Sequence, residues 1–125
     1  MTGTYVSHVG QEYTGCVGIQ ASCNQNLNIS HNTVSHASYG AVSVGCGAAK
    51  PSYAGDNSIS YNVLEHWMLR MQDSAAVYMT GHQPGSSVHH NYIRHQGPNP
   101  NPNPNPNPNP NPNPNPNPNI KASRD

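Results

Sequence analysis

Phenylalanine is absent from this sequence and tryptophan occurs once, at Trp67. Leucine is also scarce, with only Leu27, Leu64 and Leu69, so the long aliphatic stripe that a helical bundle buries is missing. Charge is sparse too: five basic and five acidic residues give a formal net charge of zero, with no run of Lys or Arg. Without that electrostatic footprint, neither a nucleic acid nor an anionic membrane is an expected partner. No apolar run approaches membrane-spanning length, and Met1 to Val6 lack the charged and apolar regions of a signal peptide. A cytoplasmic location is the default if the chain is not a fragment; in a longer parent the location is undetermined, with secretion one option.

Cysteine is limited to Cys16, Cys23 and Cys46, an odd set with no CxxC spacing. This excludes a zinc ribbon and a disulfide framework. Free buried thiols are expected, because cysteine commonly serves as a small apolar residue; a single Cys23–Cys46 bridge is the alternative.

What the chain does hold is repetition. Ile29-Ser-His-Asn32-Thr-Val34-Ser-His36, Ile59-Ser-Tyr-Asn62-Val-Leu64-Glu-His66 and Val88-His-His-Asn91-Tyr-Ile93-Arg-His95 superpose without gaps, spaced by 30 and then 29 residues. A partial fourth copy is Val6-Ser-His8. A second element recurs between them as Gly15-Cys-Val17-Gly-Ile19, Gly40-Ala-Val42-Ser-Val44 and Ala75-Ala-Val77-Tyr-Met79. Apolar alternation of this kind is the strand period, with one face turned into a core. The expected inward set is Val17, Ile19, Ile29, Val34, Val42, Val44, Ile59, Leu64, Val77, Met79, Val88 and Ile93. Stacked in parallel about 4.8 Å apart, such units align equivalent residues in ladders.

These segments resemble the parallel β-helix repeats of the pectin-lyase-like superfamily, whose units read Asn-x-Ile-x-x-Asn-x-Ile followed by Gly-Ile-x-Leu. The resemblance covers residues 4 to 97. It implies an all-β fold, a right-handed single-stranded parallel β-helix of about four coils over residues 1–97, with Asn32, Asn62 and Asn91 stacked at a turn and bonding the backbone of the corner. Residues 98–125 form a separate low-complexity segment. The strict Pro-Asn alternation from Pro98 to Asn119 removes every second amide donor and offers nothing apolar to bury, so a disordered, extended linker is expected.

Several positions carry candidate chemistry. His8, His36, His66 and His95 fall at one position of successive repeats, yet no carboxylate or thiol recurs beside them, so a structural column is expected and no metal or cofactor. Glu65 and Arg94 are equivalent in consecutive repeats and suggest an exposed cross-strand ion pair. The spacing from the column histidine to the next inward valine is six residues after His36 but eleven after His66. The added loop contains Trp67, Arg70, Gln72 and Asp73, an aromatic face, a guanidinium and an acid of the sort a sugar-binding cleft uses.

Asp73-Ser-Ala-Ala-Val-Tyr-Met-Thr-Gly-His-Gln-Pro-Gly85 is similar to a segment of β-helical carbohydrate-active proteins that reads Asp-x-Gly-Ala-Ile-Tyr-Thr-x-Gly-x-x-Pro-Gly, with Ala75 in place of its glycine. By that resemblance Asp73 matches an acidic position of catalytic type, and Trp67, Arg70 and His82 are the substrate-binding candidates. Glycoside hydrolysis needs a second acid. Glu12 is about two rungs away, roughly 10 Å, which suits neither retaining nor, comfortably, inverting geometry, and in the fourth coil His95 and Gln96, not an acid, stand where a partner would be expected. A lyase would need a Lys or Arg base, for which Arg70 is available, and usually clustered carboxylates holding calcium, which the dispersed acids do not supply. A polysaccharide or oligosaccharide partner and a glycoside hydrolase are therefore expected ahead of a lyase, with a non-catalytic structural or adhesive solenoid as the alternative. The repeats also read as part of a longer array, with uncapped ends that favour end-to-end self-association.

Overall fold

The computed structural model describes residues 1–47 and 53–97; the Pro-Asn segment lies outside the described residues. Among those described there is no helix. Ten short strands run β1 (Tyr5–Ser7), β2 (Ile19–Ser22), β3 (Asn28–Ser30), β4 (Thr33–Ser35), β5 (Val42–Gly45), β6 (Ser58–Ser60), β7 (Val63–Trp67), β8 (Val77–Thr80), β9 (Ser87–His89) and β10 (Tyr92–Gln96). They form three sheets, β1-β4-β7-β10, β2-β5-β8 and β3-β6-β9, and every pairing is parallel. The chain thus visits the three sheets in fixed rotation, an arrangement compatible with a β-solenoid.

Register follows the repeats. In the first sheet Val6, Val34, Leu64 and Ile93 align, and Ser7, Ser35, Glu65 and Arg94 align beside them. In the third sheet Ile29, Ile59 and Val88 align. The apolar columns of all three sheets join one core, in which Val34, Val42, Val44, Ile59 and Leu64 are fully buried and Val6, Met79, Val88 and Ile93 pack at its margins. Each full burial of an aliphatic side chain contributes about 1.5–3 kcal/mol, so columns of three or four hold neighbouring repeats together.

The second sheet corrects one expectation. Its pairing is Ile19 with Val42 and Val77, and Ala21 with Val44 and Met79. Val17 therefore sits two residues ahead of the column in which it was expected; it is half-buried and outside the core cluster. A two-residue slip leaves a period-2 pattern unchanged, so alternation cannot choose between the registers. Close packing can. A Cβ at Gly18 would run into Val34 Cγ1 and the carbonyl of Ala41, so only glycine fits there.

Corners are made by residues with left-handed backbone. One follows β1 and β4 and falls at the penultimate residue of β7 and β10, at His8, His36, His66 and His95, with φ between 54° and 57°. A second separates the third sheet from the first at His31, Tyr61 and His90, with Gly3 in the equivalent place, since Thr2 pairs with Ser30. A third comprises Asn26, Asp56 and Gly85. Left-handed φ is uncommon for residues other than glycine, and Asn, Asp and His are the side chains most often found there.

Candidate functional site

The second corner is closed by asparagine. Asn62 Oδ1 accepts from the Asn32 amide at 2.9 Å and from Asn32 Nδ2 at 3.0 Å, while Asn62 Nδ2 donates to the Ile29 carbonyl and to Asn91 Oδ1, both at 2.9 Å. Asn91 repeats the pattern: its Oδ1 accepts from the Asn62 amide at 3.0 Å and its Nδ2 donates to the Ile59 carbonyl at 2.8 Å. Asn32 and Asn62 are each 1% exposed, so these bonds satisfy polar groups that water cannot reach. The stacked asparagines expected from the repeats are present.

The histidine column is present as well. His8 and His36 stack at 4.6 Å between ring centroids, His36 and His66 at 4.6 Å, and His66 and His95 at 4.8 Å, with planes within 18° of parallel. Ser7 and Ser35 hold Nδ1 of His8 and His36 through their hydroxyls, each at 2.6 Å. In the next two repeats the serine position becomes the Glu65–Arg94 ion pair, with Arg94 Nε and Nη2 at 2.7 and 2.6 Å from Glu65 Oε2. The hydrogen bond from Arg94 holds the Glu65 carboxyl below the usual range, and the same contact raises Arg94. Parallel rings aim their nitrogens the same way rather than at a common point. Among the described residues no group of three or more His, Cys, Asp or Glu is placed to hold a metal ion.

The loop after β7 is zipped onto the one before it. Met68 donates to the Tyr39 carbonyl at 2.7 Å, and Arg70 and Met71 both donate to Ser38 at 3.0 Å. Ser38 continues inward to the first loop: its amide donates to Val9 and its hydroxyl to the Thr14 carbonyl at 2.6 Å. Residues 8–18, 36–41 and 68–76 therefore form one layered surface. Gly40 permits the close approach, because a Cβ there would meet the Ser74 hydroxyl.

On this surface Asp73 is exposed, has φ 64°, and offers its carbonyl to the Tyr39 hydroxyl, which donates at 2.7 Å. Burial raises the Tyr39 phenol, and the Asp73 carboxylate and the Tyr78 phenol raise it further, so both act on this one ring. Arg70 is exposed and reaches across the layers, donating from Nη1 to the Gln11 carbonyl at 2.8 Å and from Nη2 to Gln11 Oε1 at 3.3 Å. Tyr39 is the residue that sequence reasoning missed. It lies outside the repeat motif, and its role depends on a chain crossing 34 residues away.

Trp67 does not join them. It is 2% exposed, lies in the hydrophobic core, and its buried indole N–H has no hydrogen-bond partner. The expected open aromatic face is thereby corrected. The left-handed φ of His66 interrupts the strand alternation and turns the next residue inward, as happens to the buried Ala37 after His36. His82 is exposed in the connection between β8 and β9, a different segment from the one bearing Arg70 and Asp73. Glu12 is exposed in the first loop, beside the Gln11 that holds Arg70.

The cysteines also differ from expectation. Cys23 and Cys46 form a disulfide with Cα atoms 4.5 Å apart, and Cys16 is free but exposed. The cause is register: Ser22 pairs with Gly45, which sets the next residue of each strand side by side. Comparison of the chain with protein-family models, with curated proteins and with solved structures gave no match.

Proposed function

We propose that this chain is a segment of about four coils of a right-handed parallel β-helix from a carbohydrate-associated, polysaccharide-acting protein, a glycoside hydrolase rather than a lyase. The rotation of the chain through three parallel sheets supports the coil. The hand follows from the strong preference of parallel crossovers for right-handed connection. The layered surface of residues 8–18, 36–41 and 68–76 is the face that meets the glycan.

One observation carries this reading: the connection between β7 and β8 is anchored to the loops beneath it, and it presents an acid and a guanidinium outward from that support. Asp73 is held by Tyr39, and Arg70 by Gln11. Carbohydrate binding needs such fixed hydroxyl and carboxylate partners. Asp73 takes the acid role and Arg70 contacts substrate on this face, while Trp67 supports the loop from within the core. The second reading, a non-catalytic structural or adhesive solenoid, is favoured by that burial of Trp67, which leaves the surface without its aromatic platform.

The test is to present the chain with xylan, pectin and fucan, measuring retardation in affinity gels and release of reducing ends. Release that is lost in Asp73→Asn supports the hydrolase reading. Retention without release supports adhesion. No interaction with any glycan leaves only the structural rod. In a longer parent with measurable activity, an Asp73→Asn variant that stays fully active sinks the catalytic assignment.

A further inference from the structure

Seven of the eight histidines belong to ring clusters. Six of them stack with nearly parallel planes along the two corner columns. His89 is different. Its ring stands edge-on to His90, with planes at 89°, and the two Nδ1 atoms are 2.8 Å apart. Both residues are exposed.

We infer that His89 and His90 form a binding site for one late divalent transition-metal ion, with Cu(II) the preferred occupant. A metal–imidazole bond is about 2.0 Å, so two such bonds at a right angle span about 2.8 Å, whereas a tetrahedral angle would span about 3.3 Å. The separation of these two nitrogens matches the right-angled case. Square-planar and tetragonal coordination by nitrogen and oxygen is the preference of Cu(II) and Ni(II), and Cu(II) stands highest in the affinity order of the divalent series. In the metal-free protein one Nδ1 donates to the other across the same gap. The ion displaces that shared hydrogen and sits off the line joining the two nitrogens, so each ring turns by about 45° to aim its lone pair at it.

The rings are held from outside the pair, which distinguishes them from two mobile surface histidines. His90 stacks on Tyr61 at 5.0 Å with planes 16° apart, and Tyr61 stacks in turn on His31 at 5.2 Å. His89 meets the edge of Tyr61 at 5.9 Å, and its other nitrogen, Nε2, lies 3.5 Å from the Ser58 hydroxyl, leaving Nδ1 as the outward ligand. His90 sits at the left-handed corner, φ 52°, which swings its side chain back beside that of its neighbour. No third His, Cys, Asp or Glu converges among the described residues, so water fills the remaining positions and the ion stays open to an added ligand. This site rests on different residues from the glycan-facing surface and stands independently of the function proposed for it.

Titration of the whole chain with Cu(II) in a weakly coordinating buffer, followed by electron paramagnetic resonance and by tyrosine fluorescence, tests the site. One ion per chain with two imidazole nitrogens is expected. His89→Gln and His90→Gln should each weaken binding tenfold or more, Tyr61→Ala should weaken it severalfold by releasing the rings, and His36→Gln in the other column should leave it unchanged. Paramagnetic broadening in nuclear magnetic resonance should centre on His89, His90 and Tyr61 and spare His8. Because His89 and His90 are exposed, circular dichroism should report an unaltered fold in their variants. Absence of the two-nitrogen signal, binding that survives both glutamine substitutions, or a loss as large in His36→Gln overturns the inference.

Discussion

Replacing Asn62 by leucine tests the internal ladder most directly. The two side chains have the same number of heavy atoms and the same branching, so the change removes polarity while nearly keeping shape. Asn62 makes four side-chain hydrogen bonds in a position 1% exposed. Losing it strands the buried Asn32 amide, at about 2 kcal/mol, and removes three further bonds worth about 1 kcal/mol each. Burial of the leucine methyls returns about 2 kcal/mol. The net destabilisation is about 3 kcal/mol, a large fraction of the stability of any domain this size. In urea unfolding, with a slope near 1.5 kcal/mol/M, the midpoint should fall by about 2 M while the slope stays unchanged. Asn28→Leu, at an exposed position, should change the stability by less than about 0.5 kcal/mol. If both substitutions shift the midpoint equally little, the buried asparagines are spectators and the hydrogen-bond reasoning fails.

Other outcomes follow from particular contacts. Ile19→Ala should cost about 2–4 kcal/mol and Val17→Ala under about 1 kcal/mol, by the same unfolding assay; the reverse order would restore the rejected register of β2. Thiol titration of the native protein should find one reactive cysteine, Cys16, and reduction of Cys23–Cys46, which closes a loop of 23 residues, should destabilise by about 3 kcal/mol, whereas three reactive thiols would refute the bridge. The lowered Glu65 carboxyl contributes stability that is present above the ordinary glutamate range and lost as pH falls through its folded value. In Arg94→Gln its titration, followed by nuclear magnetic resonance, should move upward; no movement would deny the pairing. Tyr39→Phe removes the hydroxyl held by the Asp73 carbonyl, and exchange of the bonded amides of Leu69, Arg70 and Met71 in the same loop should accelerate; unchanged protection would show that the loop needs no such anchor.

The repeat motif carried a great deal by itself. Three copies spaced by 29 and 30 residues force equivalent side chains onto neighbouring strands, so Asn32, Asn62 and Asn91, the four column histidines and the Glu65–Arg94 pair were all legible. Each is a consequence of parallel register, which identical spacing sets without knowledge of the third dimension. What the motif could not decide was anything governed by contact between unlike segments. Alternation is blind to a two-residue slip, so Ile19 was legible as a core residue but its pairing with Val42, which leaves Val17 outside the core cluster, was not. The pairing of Ser22 with Gly45 that follows from this register is what joined Cys23 to Cys46. Trp67 looked like a loop aromatic because strand periodicity puts it outside, and a left-handed backbone at His66 turned it in. The anchoring of Asp73 by Tyr39, and the edge-on meeting of His89 and His90, depend on ring orientations that sequence spacing does not encode, because they are set by what packs on the far side of each ring.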